Sequence, residues 1–224
     1  MTILTYAQRQ AYWNWCREFI DREAIYRVDD THPQLIGKNP KGKYTFQFYL
    51  RRATFNPHFA HALGLLFWDH FAALHHQHPF QICTPEPSGP PIGAAIQAAA
   101  TGLGIRINVF QARREPKSFG LDNWFNGRVL PGVPVLMVED IAASAPFLLR
   151  AAIRVQQKLK LPLHQNYFTV VNKVGGGFKK ENQHTENYLD GELIALFTFN
   201  NFAKNAEEFA WKHGHKQNWT GIVA

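Results

Sequence analysis

"VLMVEDIAASAPFLLRAA", Val135–Ala152, sets the frame for the whole chain. The apolar run Val135–Val138 meets two acids, Glu139 and Asp140. A turn of small residues follows, from Ala142 through Ala143, Ser144 and Ala145 to Pro146, and then apolar residues at helical spacing. A short apolar run bounded by turn residues reads as a buried strand, and proline is well placed in the first turn of a helix. The stretch predicts a central strand ending at the two acids, with a helix beginning within about six residues.

Working outward, the same alternation recurs. On the C-terminal side, "NYFTVVNK" and "LIALFTFN" read as strands and "AKNAEEFAWKHG" as a final helix. On the N-terminal side, "FQIC" and "IRINVFQA" read as strands, "PPIGAAIQAAATGLG" as the helix between them, and "RREPKSFGLDNWFNGRVLPG" as a long polar loop. Earlier still, Thr5 and Gln8 form a capping box before an aromatic-rich helix. "DDTHPQLIGKNPKGK" is loop, "YTFQFYL" is β-prone, and "PHFAHALGLLFWDHFAAL" has helical periodicity. Strands alternating with helices define an α/β fold with a mostly parallel sheet covered on both faces. Ligands bind such sheets beyond the C-terminal ends of the strands, where Glu139 and Asp140 lie.

Composition bounds the function. The chain has 224 residues, 46% of them hydrophobic, enough for one sizeable core. No apolar run approaches the roughly 20 residues of a membrane span, the longest being broken by Asp69 and histidines. The N-terminus lacks a secretory pattern. Cys16 and Cys83 fit neither a metal spacing nor a disulfide framework, which suits a reducing cytosol. The formal charge of +7 suits a nucleic acid or a polyphosphate metabolite equally, and no nucleic-acid recognition motif is present. His70, His75, His76 and His78 match no metal-ligand spacing and favour a helix C-terminus instead. The glycine-rich Val174–Asn182 lacks the Gly-Lys-Ser/Thr of a phosphate loop and reads as a hairpin. Tyr12, Trp13, Trp15 and Phe19 read as core or subunit surface.

The strand end has its own chemistry. The first N–H groups of the following helix form an anion site. Two carboxylates beside a phosphate repel it unless they bind something else, and carboxylates accept well from a vicinal diol. Acids for a diol beside amides for a phosphate describe a site for a ribose 5-phosphate. Residue types alone favour a plainer reading, a solvated strand end with Asp140 capping the next helix.

The motifs shift that balance. "VLMVEDIAASA" resembles the phosphoribosyl-diphosphate motif of type I phosphoribosyltransferases: an apolar run, two acids, two apolar residues and Thr-Thr-Gly. "RREPKSFG", Arg113–Gly120, resembles the catalytic loop of orotate phosphoribosyltransferases, Arg-Lys-Glu-x-Lys-x-His-Gly. Arg113, Glu115, Lys117 and Gly120 match, and Arg114 keeps the charge. "FNGRVLPG" resembles the family's link from that loop to the acids. "CTPEPSGPPIGAAI" resembles its diphosphate-binding loop and "KGKYTFQFYL" its hood. The resemblance covers Lys38 to Asn201. The loop also makes sense physically. Cleaving the ribose–diphosphate bond leaves negative charge on the leaving group, and cations placed over it stabilise the transition state. A loop carrying such cations is expected to stand open until an anion arrives.

The resemblance implies a type I phosphoribosyltransferase fold over 1–224, with an N-terminal helix and hood in 1–55 and an α/β core in 78–213. It implies transfer of 5-phosphoribosyl from phosphoribosyl diphosphate to a pyrimidine base such as orotate, with Mg²⁺ bound through the substrate diphosphate. Lys117, Arg113 and Arg114 would be catalytic. Glu139 and Asp140 would hold the ribose hydroxyls. Ser144, with the amides of Ala143 and Ala145, would hold the 5-phosphate. Lys43 would touch substrate, and Phe48 and Tyr49 would sandwich the base. A cytoplasmic homodimer follows, since the family's basic loop reaches across the subunit interface. There are departures. Ala143-Ser144-Ala145-Pro146-Phe147 stands where the family has Thr-Thr-Gly-x-Ser or Thr, Pro146 donates no N–H, Phe119 replaces a histidine, Thr84 a glycine and Lys41 the hood serine. Losing charge-assisted bonds to the phosphate costs roughly 1.5–3 kcal/mol apiece. A non-catalytic relative that binds a nucleotide and regulates is therefore the alternative, and a nucleic-acid-binding scaffold the third.

Overall fold

The computed structural model describes residues 2–27, 35–36, 43–44, 46–116, 124–142, 146–173 and 191–202. The capping box forms as its spacing predicts: Gln8 N donates to Thr5 Oγ1 (3.3 Å) and Thr5 N to Gln8 Oε1 (2.9 Å). It starts α1 (Tyr6–Glu23). Asp69, which interrupts the longest apolar run, accepts from Leu4 N at 2.8 Å and pairs with Arg9, so the charge ties α1 to the helix that carries it.

Two short antiparallel pairs follow α1. β1 (Ile25–Arg27) pairs with β4 (Phe46–Phe48), with Ile25 opposite Phe48, and β2 (Leu35–Ile36) pairs with β3 (Lys43–Tyr44). A short helix that the sequence reading missed, α2 (Arg51–Thr54), leads to α3 (Pro57–Gln77). Asn56 caps α3 by accepting from His58 N and Phe59 N, both at 3.0 Å, with proline in the first turn. The buried face of α3 packs on α4 (Gly89–Gly102). A Cβ added at Gly64 would sit 2.6 Å from the Ala95 carbonyl oxygen and 2.7 Å from the Ala99 Cβ, so only glycine lets the helices approach this closely.

The main sheet has the order β10-β9-β8-β5-β6-β7. β5 (Gln81–Pro85), β6 (Val109–Ala112), β8 (Val135–Ala142), β9 (Leu163–Asn172) and β10 (Glu192–Thr198) are parallel. β7 (Phe125–Asn126) is an antiparallel edge inside the segment read as loop. β6 is shorter than "IRINVFQA" suggests. α5 (Pro146–Arg154) begins where the proline predicts and runs into one π turn (Val155–Leu159).

Apolar residues of β8 alternate between two layers. Leu136 and Val138 pack with α3 and α4, and Val135 and Met137 with Leu148, Leu149 and Ala152 of α5. From β5 the chain steps through α4 to β6 on one side, with β7 beyond it, while β8, β9 and β10 lie on the other. The order therefore reverses between β5 and β8, the place where open α/β sheets form their ligand crevice. The final helix read at "AKNAEEFAWKHG" and the hairpin read at Val174–Asn182 lie outside the described residues. No helix among the described residues is long and apolar enough to cross a membrane.

Candidate active site

The crevice is built from four strand ends or turns. On β8, Glu139 and Asp140 are half-buried at the fifth and sixth of eight positions, so the strand runs through the acids to Ala142 rather than stopping at them. Backbone pairing explains the extension: Ile141 and Ala142 stay in register with Val171 and Asn172 of β9.

Successive residues of a strand face opposite ways, and the acids follow that rule. Glu139 continues the row of Val135 and Met137 toward α5. Asp140 continues the row toward α4, where the Ser88 side chain at the α4 N-terminus stands near its carboxylate. Asp140 Oδ1 also accepts from Ile141 N at 2.8 Å. It therefore serves its own strand. Burial, then the neighbouring Asp140 charge, pushes the Glu139 carboxyl up to about 8. Burial also lifts Asp140, against the pull of the Ile141 N–H, the nearby Ser88 hydroxyl and the Arg51 charge. An acid pair kept from full ionisation awaits hydroxyl donors or a cation.

β9 contributes a cation that the sequence reading missed. Lys173 follows Asn172, its N–H donates to the Ala142 carbonyl (2.8 Å), and burial holds its ammonium below the usual lysine range. Its Nζ lies 5.5 Å from the Phe48 ring and 5.7 Å from the Phe199 ring. The hood thus meets the sheet here. Phe48 is buried against Phe199 and Phe202, whereas Tyr49 is exposed and faces Tyr26 at 6.0 Å. The two aromatics have different neighbours, as consecutive residues at a strand end do. A cation one position beyond a strand end, at the same sheet edge as the acids, was the available signal.

On the far side, the turn Pro85–Gly89 leads from β5 into α4, and a cavity of about 210 Å³ opens between it, β6 and α5, with Arg113, Arg114, Arg150 and Arg154 on its walls. Arg113 lies at the base of the segment read as the catalytic loop. Its Nε and Nη2 donate to Asn126 Oδ1 at 3.0 and 2.8 Å, so its guanidinium is engaged with β7. Arg114 is exposed. Lys43 lies in β3. Lys117, Ala143, Ser144 and Ala145 lie outside the described residues. In the histidine cluster, His75 Nδ1 accepts from Phe80 N (3.2 Å), and Nε2 lies 3.1 Å from the Arg106 carbonyl, to which it donates as the neutral tautomer that burial favours.

No protein-family model matches the chain. Its architecture is nonetheless that of known proteins. The orotate phosphoribosyltransferase of Mycobacterium tuberculosis, solved with Fe(III) dicitrate, superposes with a TM-score of 0.64 at 18% identity, covering 85% of this chain and 98% of that one. The same protein solved with 5-phospho-α-D-ribosyl 1-diphosphate gives 0.59. A phosphoribosyltransferase from Corynebacterium diphtheriae gives 0.64 at 18% identity, over 86% of this chain and 98% of that one. The fold is therefore the type I phosphoribosyltransferase fold. In sequence, an orotate phosphoribosyltransferase of Rhodopirellula baltica is 33% identical over 88 residues, which are 39% of this chain and 44% of that protein. The match spans less than half of that curated relative.

Proposed function

We propose that the protein is a phosphoribosyltransferase of the orotate type, which transfers 5-phosphoribosyl from phosphoribosyl diphosphate to a pyrimidine base. The observation that carries this reading is the half-buried acid pair at the switch point of a phosphoribosyltransferase fold. Glu139 and Asp140 accept from the ribose hydroxyls. Ser144 and the amides of Ala143 and Ala145 receive the 5-phosphate. Lys117 and Arg114 stabilise the leaving diphosphate. Phe48 and Lys173 meet the base, and Lys173 gives a carboxylate-bearing base such as orotate the counter-charge that a neutral base does not need. Lys43 and Tyr49 complete the hood side.

Mg²⁺ fits this donor set. It takes oxygen ligands, keeps most of its shell from phosphate and water, and needs few protein groups, and the carboxylate oxygens of Glu139 and Asp140 are at hand. When bound, it offsets the charge of the diphosphate. The reading carries with it a homodimer and a cytoplasmic location, to which the buried free thiols of Cys16 and Cys83 are suited.

A calorimetric titration with phosphoribosyl diphosphate and Mg²⁺, followed by transfer assays with orotate, uracil and a purine base, tests the proposal. Saturable binding with transfer to orotate is expected. Binding without transfer to any base would leave a nucleotide-binding regulator. The decisive variant then combines Ala143→Thr, Ser144→Thr and Ala145→Gly, because gain of transfer would locate the defect in the phosphate cradle.

The acid pair adds a pH signature. With the Glu139 carboxyl near 8, the free protein holds a proton there at pH 7, and hydroxyl donors with a cation displace it. Titrations at pH 7 in buffers of different ionisation enthalpy are expected to show proton release, and affinity should rise with pH up to about 8. Glu139→Gln should abolish both. A flat affinity profile without buffer dependence contradicts the assignment. For the free protein the sign is opposite. A raised carboxyl favours the folded state at low pH, and that contribution is lost as pH climbs from 4.5 to about 8.

A further inference from the structure

β7 has two residues, paired only as Gln111 opposite Asn126 and Ala112 opposite Phe125. So short an edge ladder offers few backbone bonds to fix the segment that springs from it. Side chains hold its stems instead. Arg154, the last residue of α5, donates from Nη1 to the Arg113 carbonyl at 2.7 Å, and its guanidinium carbon lies 4.4 Å from the Trp124 ring centre. Arg113 and Trp124 are themselves joined, Arg113 N donating to Trp124 O at 2.8 Å. Arg154 thus grips both stems of the segment that carries the basic motif, one through the edge of its fork and the other through its face.

The grip continues toward the acids. Asn126 accepts the Arg113 fork and donates from Nδ2 to Gln111 Oε1 at 3.0 Å. Gln111 Nε2 donates to Glu86 Oε1 at 2.9 Å. Glu86 Oε2 lies 3.4 Å from Arg114 N, and its N–H donates to the Ala112 carbonyl at 2.8 Å. Glu86 stands two residues before Ser88, whose side chain is near the Asp140 carboxylate. One polar path therefore runs from α5, across both stems, into the β5–α4 turn, and β5 pairs directly with the acid-bearing strand.

We propose that Arg154 is a positioning residue, which with Asn126 and Glu86 sets the stems of the basic segment against the acid pair. Arg113, engaged by Asn126, belongs to this frame. The inference rests on the function proposed above for its catalytic meaning, but not for its structural content. A planar fork bonds along its edge and stacks on its face at once, and a lysine does not. Charge alone is therefore not the requirement.

Hydrogen exchange of Arg154→Met and Arg154→Lys separates the cases. Both are expected to exchange about tenfold faster in peptides spanning 110–116 and 124–127, with 81–85 and 135–142 unchanged. Unchanged exchange at the stems overturns the proposal, and so does a uniform rise through the sheet, which would mark general destabilisation. Should Arg154→Met not fold, Asn126→Ala leaves α5 intact and is held to the same local pattern. The kinetic arm uses transfer activity. Arg154→Met should lower kcat about tenfold with little change in KM for phosphoribosyl diphosphate, and should cost almost nothing more in a Lys117→Ala background. Additive losses overturn action through the basic segment. Absence of transfer in the unaltered protein counts against the function, while the exchange result still decides the frame.

Discussion

Replacing Lys117 with Ala is expected to lower turnover about 100- to 1,000-fold while changing affinity for phosphoribosyl diphosphate far less. The leaving diphosphate carries its greatest charge in the transition state, so a cation meeting it there stabilises that state more than the bound substrate. Removing one such contact typically costs about 2.7–4 kcal/mol. Asp140→Asn should behave otherwise. The ribose hydroxyls are present in ground and transition states alike, so binding should weaken together with turnover. Steady-state kinetics beside calorimetry distinguish the patterns. Equal losses of affinity and turnover in Lys117→Ala would assign that residue to substrate binding, and no loss of either would remove it from the site.

Trp68→Ala is expected to destabilise the fold by about 3–5 kcal/mol. Trp68 is fully buried, and its Nε1 donates to the Ile96 carbonyl across the α3–α4 seam at 2.8 Å. The substitution opens a cavity between helices whose spacing is already fixed by Gly64, and it strips a partner from a buried carbonyl. For a chain of this length the melting temperature should fall by roughly 6–20 °C. Phe55→Ala is the control. Its ring is 72% exposed, and a change of under about 0.5 kcal/mol is expected. The effect should reach the site, because α4 presents Ser88 to Asp140. Similar melting curves for the two variants would contradict the packing described for the seam.

The strand–turn–helix at Val135–Ala152 was legible because three signals coincide: an apolar run, small turn residues, and a proline that fits the first helical turn. The Thr5–Gln8 cap and the periodicity of α3 were legible for the same reason. β7 was not, since two residues give no periodicity and its neighbours are polar. α2 is equally short. The acids were found by type, but their separation onto two faces comes from the strand running past them, a matter of pairing with β9. Lys173 escaped notice because a lone lysine after a strand is ordinary in sequence. What distinguishes it is the aromatic wall supplied by Phe48 and Phe199, from distant parts of the chain. Arg113 matched a motif by identity, yet Asn126, within the stretch read as loop, engages it.

The order β9-β8-β5 has a stereochemical consequence. Neighbouring strands lie about 4.8 Å apart, so the ends of β9 and β5 stand roughly 10 Å from one another with the acids of β8 between them. That is about the width of a pentose bearing one substituent on each side. Lys173 and Phe48 mark the β9 flank, and Ser88 and the turn after β5 mark the other. On the proposed reading, a sugar seated over β8 receives the base from one flank and releases diphosphate toward the opposite one. Bond formation and bond breaking then occur on opposite faces of the anomeric carbon, and its configuration inverts.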